Sequence, residues 1–255
     1  MDRNIIAVHQ PNFMPWLGFF YKWASADHMV FLDDAAFTKG SHINRVRVRG
    51  GDASGESAQQ WLTIPVHQKG RLNQPIAEVE IKNDLPWRDS VLGKLRSCYG
   101  KAPFFKHYFP GFEAIVMKER LLLADLNIEL LQWLAGILEI QTPWVLSSSL
   151  EGVNGKATER LISICRHLGA TAYLSGFGGQ KYQEEEEFKK HNIQLAVYDF
   201  RRPEYPQRGE GFIPGLSVID LIFNCGPESG EILKKNSVNH MAPNIYEDKV
   251  LENYK

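Results

Sequence analysis

Only three cysteines occur in the 255 residues, Cys98, Cys165 and Cys225. Odd in number, widely spaced and set in apolar helical contexts, they exclude a disulfide framework and fit a reducing compartment as core thiols. No apolar run approaches the ~18 residues that cross a bilayer. The start, Met1-Asp2-Arg3-Asn4, leads only into Ile5 to Val8 before His9, too little for a signal peptide, so the expected location is the cytoplasm. Excess charge is missing as well: 29 Lys and Arg nearly balance 30 Asp and Glu, which argues against a protein held on nucleic acid or an anionic membrane. There is no HExxH, no CxxC and no cluster among the eight histidines, so no metal is expected. A P-loop is absent, because Gly155-Lys156 has Leu150 where its first glycine belongs and Ala157 where Ser or Thr belongs. The Rossmann fingerprint fails too, since after Gly176 and Gly178 its third glycine falls at Lys181, and Ser175 lacks the GxSxG surroundings of a nucleophile elbow.

What remains is an ordinary globular balance, 44% apolar and 23% charged, with enough chain for one full core. The expected organisation is a single α/β domain over 1–235 and a C-terminal tail over 236–255, where periodicity fades. Ile5 to Val8 read as a strand buried on both faces. Pro15 suits the first turn of a helix over 16–26, and a second strand over 28–32 ends in Asp33-Asp34. A crossover of that length implies parallel pairing.

Between 44 and 81 the period drops to two, with Val46 and Val48, then Leu62, Ile64 and Val66, then Ala77, Val79 and Ile81 alternating with polar neighbours. This reads as an antiparallel β insertion whose hairpin turn is the glycine-rich 50–55. Helices are expected over 86–99, 103–118 with a break at Pro110-Gly111, 123–139, 156–168, 181–191 and 216–225. Strands are expected over 144–147, 171–174 and 194–198. The fold class is α/β, a mainly parallel sheet flanked by helices.

Ligands of open parallel sheets bind at the carboxyl ends of the strands. Three such ends are marked, His9-Gln10, Asp33-Asp34 and Ser175-Gly176. His9 suits a general base, a donor to an anion, or a loop residue capping the helix that follows. Gln10 and Asn12 carry amides on a backbone fixed by Pro11 and Pro15, a layout that recognises polar ligands. Trp16 is placed to stack on a sugar or base. Of Asp33 and Asp34, adjacent on a strand and therefore pointing to opposite faces, one is expected to serve the site. Arg45, beside Asn44, is the arginine nominated for phosphate or carboxylate; Arg47 and Arg49 read as a solvated edge. The Gly176 turn offers free N–H groups to an anion.

Taken together these stretches resemble the WbqC-like family over nearly the whole chain. The resemblance is carried by His9-Gln10-Pro11-Asn12, Pro15-Trp16-Leu17-Gly18-Phe19, Phe31-Leu32-Asp33-Asp34, Asn44-Arg45 and Trp61-Leu62-Thr63-Ile64-Pro65-Val66. It continues through Leu123-Ala124-Asp125-Leu126-Asn127, 155–161, Tyr173-Leu174-Ser175-Gly176 with Tyr182, and 216–221. It implies a bacterial protein of O-antigen and other surface-polysaccharide gene clusters, working beside enzymes that make nucleotide-linked amino sugars. The family carries over no catalytic residues, so the site rests on the residues' own chemistry.

The expected activity is transfer of an acyl or aminoacyl group to the amine of a nucleotide-linked sugar. His9 accepts the amine's proton, Gln10 or Asn12 steadies the carbonyl oxygen, Asp33 orients His9 or binds sugar, and Arg45 with Gly176 holds phosphate. The co-reactant is an activated acyl or aminoacyl donor, and nucleic acid enters only if that donor is a charged tRNA. An alternative follows from the opening topology, which is also how nucleotidyltransferases and class I synthetases begin: adenylyl or nucleotidyl transfer using ATP. Leu17-Gly18-Phe19 breaks the HxGH of those enzymes. A third alternative is a non-catalytic sugar-nucleotide binding protein.

Overall fold

The structure, a computed structural model, describes residues 3–50, 59–68, 70–176, 184–197 and 200–235. The expected turn over 51–55, the Phe177 to Gly179 run, Tyr182 and the tail 236–255 lie outside the described residues. Five strands form one parallel sheet: β1 (Ile5–His9), β2 (His28–Phe31), β5 (Trp144–Leu146), β6 (Ala172–Ser175) and β7 (Gln194–Val197). Their spatial order is β5-β2-β1-β6-β7. The chain therefore winds outward from β1 to β2 and β5, then crosses back to lay β6 and β7 on the other side. Counted among these five alone, the order is 3-2-1-4-5, that of doubly wound sheets whose ligand crevice opens where the winding reverses. Here that point lies between β1 and β6.

Period-two alternation sorts the strands' side chains onto two faces. Ile5, Ala7, Met29, Phe31, Leu174 and Ala196 belong to the larger core. That core is shared with α1 (Leu17–Ala24), α2 (Trp87–Tyr99), α3 (Phe105–Met117), α4 (Leu123–Ile137), α7 (Val218–Cys225) and α8 (Ser229–Lys235). Ile6, Val8, Val30 and Tyr173 pack instead against Ile162, Ile164 and Cys165 of α5 (Ala157–His167) and Phe188 of α6 (Glu185–Lys190). The three cysteines are buried and none is in a disulfide. Pro110 lies inside α3 without ending it, so the expected break does not occur. Among the described residues no helix is long and apolar enough to cross a membrane.

The insertion is a two-stranded antiparallel ribbon, β3 (Arg45–Arg49) against β4 (Gln59–Thr63), with Val46 opposite Leu62. The third alternating stretch departs from expectation. Over Ile76–Glu78 it forms a 3₁₀ turn, and only isolated bridges follow, Val66 with Ile81 and Glu80 with Leu122. Burial explains the difference, since Ile76 and Val79, three apart, both face the core, a spacing suited to 3₁₀ geometry. The backbone N–H groups of Ile76 and Ala77 donate to the carbonyls of Ala35 (2.9 Å) and Asp33 (2.8 Å), clipping the turn to the end of β2 rather than to β4.

Behind the ribbon, α7 carries Asp220 at full burial. Tyr205 Oη donates to its Oδ1 (3.0 Å), and the nearby Arg49 guanidinium, also buried, donates to Gln207 Oε1 (3.1 Å) and to the carbonyls of Glu210 (2.6 Å) and Gly211 (3.0 Å). Arg49 is therefore a core tie rather than the solvated edge expected of it. Burial outweighs these partners and pushes the Asp220 carboxyl up to about 6. A carboxyl raised on folding contributes stability that is full below its unfolded value near 4 and is lost as pH rises through 6. Asp220→Asn removes that penalty. From pH 4 to pH 7 the variant should gain about 2 kcal/mol relative to the parent, read by urea unfolding at both pH values; an unchanged difference between the two proteins shows that the carboxyl is not raised there.

Candidate functional site

The loop after β1 is held from several directions. Two prolines limit its backbone, and Met14, directly before Pro15, takes a left-handed φ of 40°, a conformation disfavoured twice over, by its Cβ and by the proline after it. Strain of this kind persists only where surroundings over-determine it. Ser217 Oγ donates to the Met14 carbonyl (2.7 Å), and the Val218 N–H donates to the Pro15 carbonyl (2.9 Å). The Phe13 N–H donates to the His42 carbonyl (3.0 Å). Asn127, fully buried on α4, donates through Nδ2 to the carbonyls of Pro11 and Ile43, both at 2.8 Å. One amide thus ties the loop to the segment that enters the ribbon.

His9 closes β1 at the mouth of the sheet. Its Nδ1 donates to the Gln10 carbonyl (3.0 Å), because a carbonyl only accepts, and Nε2 is left with the lone pair. The ring stands edge-on to Phe19, with centroids 4.7 Å apart, and to Trp16 at 6.1 Å. Burial first, then the Lys22 charge, lower its pKa to about 3. The imidazole is therefore neutral at physiological pH.

From His9 a run of rings leads to the ribbon. Trp16 meets His42 at 5.3 Å, His42 meets Trp61 at 5.9 Å, and the Arg45 and Arg47 guanidinium carbons lie 4.3 and 5.8 Å from a Trp61 ring centroid. His42 Nδ1 is buried with no partner among the described residues, and burial, then Arg47 and Arg45, lower its pKa. Arg45 donates to the Gly40 carbonyl. Asn44 donates to the Ile64 carbonyl (2.9 Å) while its Oδ1 stays unpartnered. Asn12 is 4% exposed, and among the described residues its amide forms no side-chain hydrogen bond. Gln10 beside it is partly exposed.

Lys22 projects from α1 toward the same strand ends. β1 pairs with β6 only as far as Ala7 opposite Leu174, and the His9 carbonyl is taken by the Leu32 N–H (2.8 Å) on the β2 side. Strand carbonyls alternate, so that of Val8 faces the side where β6 has parted. Lys22 Nζ donates to it at 2.7 Å and sits 5.7 Å from the Tyr173 ring centroid. Lys22 is 4% exposed and forms no ion pair among the described residues; burial lowers its pKa to about 7.

The two aspartates are spoken for by another strand. Asp33 accepts from Ser147 Oγ (3.1 Å), the Ser148 N–H (3.0 Å) and Ser148 Oγ (2.6 Å), and Asp34 accepts from Ser147 Oγ (2.6 Å) and pairs with Arg160. They fasten the end of β2 to the end of β5. Among the described residues no hydrogen bond joins Asp33 to His9. Ser175, fully buried at the end of β6, donates to the Gly176 carbonyl (3.1 Å). The structure thus gathers His9 and Trp16 with His42, and Arg45 with Trp61 next to them, and sets Asp33 and Asp34 in a bonded cluster of their own.

Lys22, His42, Trp61, Asn127 and Ser217 escaped the sequence reading. Lys22 was signalled by being the one charge in the helix LGFFYKWA. Asn127 and Ser217 are polar residues in apolar stretches that carry the family resemblance; His42 has no signal of its own. A separate surface hollow, lined among others by Asn154, Glu159, Arg166 and His191, lies against α5 and includes none of these residues. Among the described residues no three His, Cys, Asp or Glu side chains are grouped to hold a metal.

Comparison with known proteins agrees with the resemblance. A family model described as the WbqC-like protein family matches residues 10–232. An uncharacterized protein of Mycobacterium tuberculosis, Rv1507c, is 32% identical over 231 residues, covering 90% of this chain and 97% of the relative. No solved structure gives a significant match.

Proposed function

We propose, for a chain that belongs to the WbqC-like protein family, an enzyme of bacterial surface-polysaccharide synthesis that works in the cytoplasm and transfers an acyl or aminoacyl group to the amine of a nucleotide-linked sugar. The observation that carries this reading is the placement of His9, its Nδ1 proton committed to the Gln10 carbonyl and its Nε2 lone pair left at the reversal point of the sheet; the burial that keeps the ring neutral also weakens it as a base, so it hands the proton on rather than keeping it. Nε2 takes a proton from the amine as nitrogen bonds to the acyl carbon, and the leaving group departs with the electron pair of its bond to that carbon. The unspent Asn12 amide steadies the acyl oxygen. Trp16 offers a face to the sugar or base, and Arg45 with Gly176 reaches phosphate. Asp33, whose oxygens accept from Ser147 and Ser148, supports the site by holding the end of β2 to the end of β5 rather than by orienting His9.

The sheet order favours one second reading, adenylyl or nucleotidyl transfer, because sheets wound this way hold nucleotides at the reversal. Purified protein incubated with nucleotide-linked amino sugars and activated acyl or aminoacyl donors, read by mass, separates the two. The expected result is a sugar heavier by one acyl group without ATP. Pyrophosphate release from ATP supports the second reading instead, and binding with no product under any donor overturns both in favour of a sugar-nucleotide carrier.

A further inference from the structure

Lys22 plays no part in the acyl-transfer scheme, yet its placement is the least expected in the molecule. A buried cation is ordinarily met by a carboxylate or by enough acceptors to satisfy its protons. Lys22 has three donors and, among the described residues, one acceptor, the Val8 carbonyl at 2.7 Å. The side chain is 4% exposed, so bulk solvent does not make up the difference. The amine lies where β1 and β6 part, beyond the last pair, Ala7 with Leu174. The loop that follows β1 keeps a second donor unspent, the Asn12 amide, also 4% exposed.

We infer that the opening between the ends of β1 and β6 binds a phosphoryl group, with the Lys22 ammonium as the countercharge that the ligand completes. This rests on the reading of this sheet edge as the substrate site and names the part of the substrate it takes. A lysine offers a point charge with rotatable donors, which suits a tetrahedral phosphoryl group; planar carboxylates are better matched by the arginine fork. Among the described residues the groups facing Lys22 are His9 on β1 and the Tyr173 ring on β6, with His42 beyond His9. Neither histidine supplies positive charge at neutral pH, since burial holds His9 at about 3 and His42 below its ordinary value. With its own value near 7, Lys22 is mostly neutral at pH 8 and is recharged by an arriving anion, so binding takes up a proton.

The test is titration calorimetry at pH 8 in two buffers of different ionisation enthalpy, using inorganic pyrophosphate, UDP and acetate as probes. The parent should bind pyrophosphate and UDP with proton uptake. Lys22→Met should weaken both roughly tenfold or more and abolish the uptake, while melting no lower than the parent, because methionine spares the fold the cost of stripping a proton from the buried amine. Lys22→Arg should keep the affinity without the uptake. UDP binding far above pyrophosphate identifies a nucleotide as the source of the phosphoryl group, and equality identifies the free anion. Unchanged affinity in Lys22→Met, a lowered melting point with affinity intact, acetate binding as tightly as pyrophosphate, or no binding to the parent each overturns the inference. The two proposals fail separately. Acyl transfer with Lys22-independent binding removes only the phosphoryl site, whereas Lys22-dependent binding with no acylated product removes only the reaction.

Discussion

His9→Phe is expected to leave a folded protein whose turnover in the mass assay falls by about 10²–10⁴-fold, the usual range for losing a proton-transfer group. Phenylalanine keeps the edge contacts with Phe19 and Trp16 and deletes both nitrogens, so chemistry and packing are separated. A second readout comes from acid. The folded histidine is held at about 3 against an unfolded value of 6.5, so the unfolded chain binds a proton that the native state refuses. The parent therefore loses stability as pH falls from about 6.5 toward 3. Phenylalanine does not titrate, and the variant should become progressively more stable than the parent across that window. Turnover within twofold of the parent, with the acid difference present, would make His9 a packing residue and remove it from the mechanism.

Asn127→Leu is expected to cost about 2–5 kcal/mol of stability and to weaken nucleotide-sugar binding in whatever fraction stays folded. The side chain is fully buried and donates to two carbonyls, Pro11 and Ile43. Leucine is of similar bulk but leaves both oxygens without a donor, at roughly 1–3 kcal/mol each. Its Oδ1 has no partner among the described residues, so the value of this amide lies in its two N–H groups. Urea unfolding measures the first effect and calorimetry with a nucleotide sugar the second. A cost below 1 kcal/mol would show that another contact holds the loop to the ribbon.

The sheet was readable because Ile5 to Val8 and Met29 to Leu32 are apolar runs ending abruptly in polar residues, as strands buried on both faces do. The 76–81 stretch was not, because its alternation imitates a strand while the buried pair Ile76 and Val79 follows a period of three. His9, Gln10, Asn12 and Trp16 stood out through the prolines that present them. The partners of Asp33 were invisible, since nothing along the chain says that β5 lies beside β2 and brings Ser147 and Ser148 to that carboxylate. Lys22 was lost inside an apolar helix, where hydrophobic patterning registers a charge only as an interruption.

The hydrogen bond from Ser217 to Met14 spans 203 positions of sequence. On a ribosome adding ~5–20 residues per second, Ser217 is made roughly 10–40 s after Met14. For that interval the nascent segment has β1 and α1 available but not the contact that sustains its left-handed turn. Contacts of such long range close late, after the entropy of the intervening chain has been overcome. The 9–16 loop therefore matures only once α7 has been made, and a chain stalled or cut before α7 carries every residue of that stretch without its native geometry.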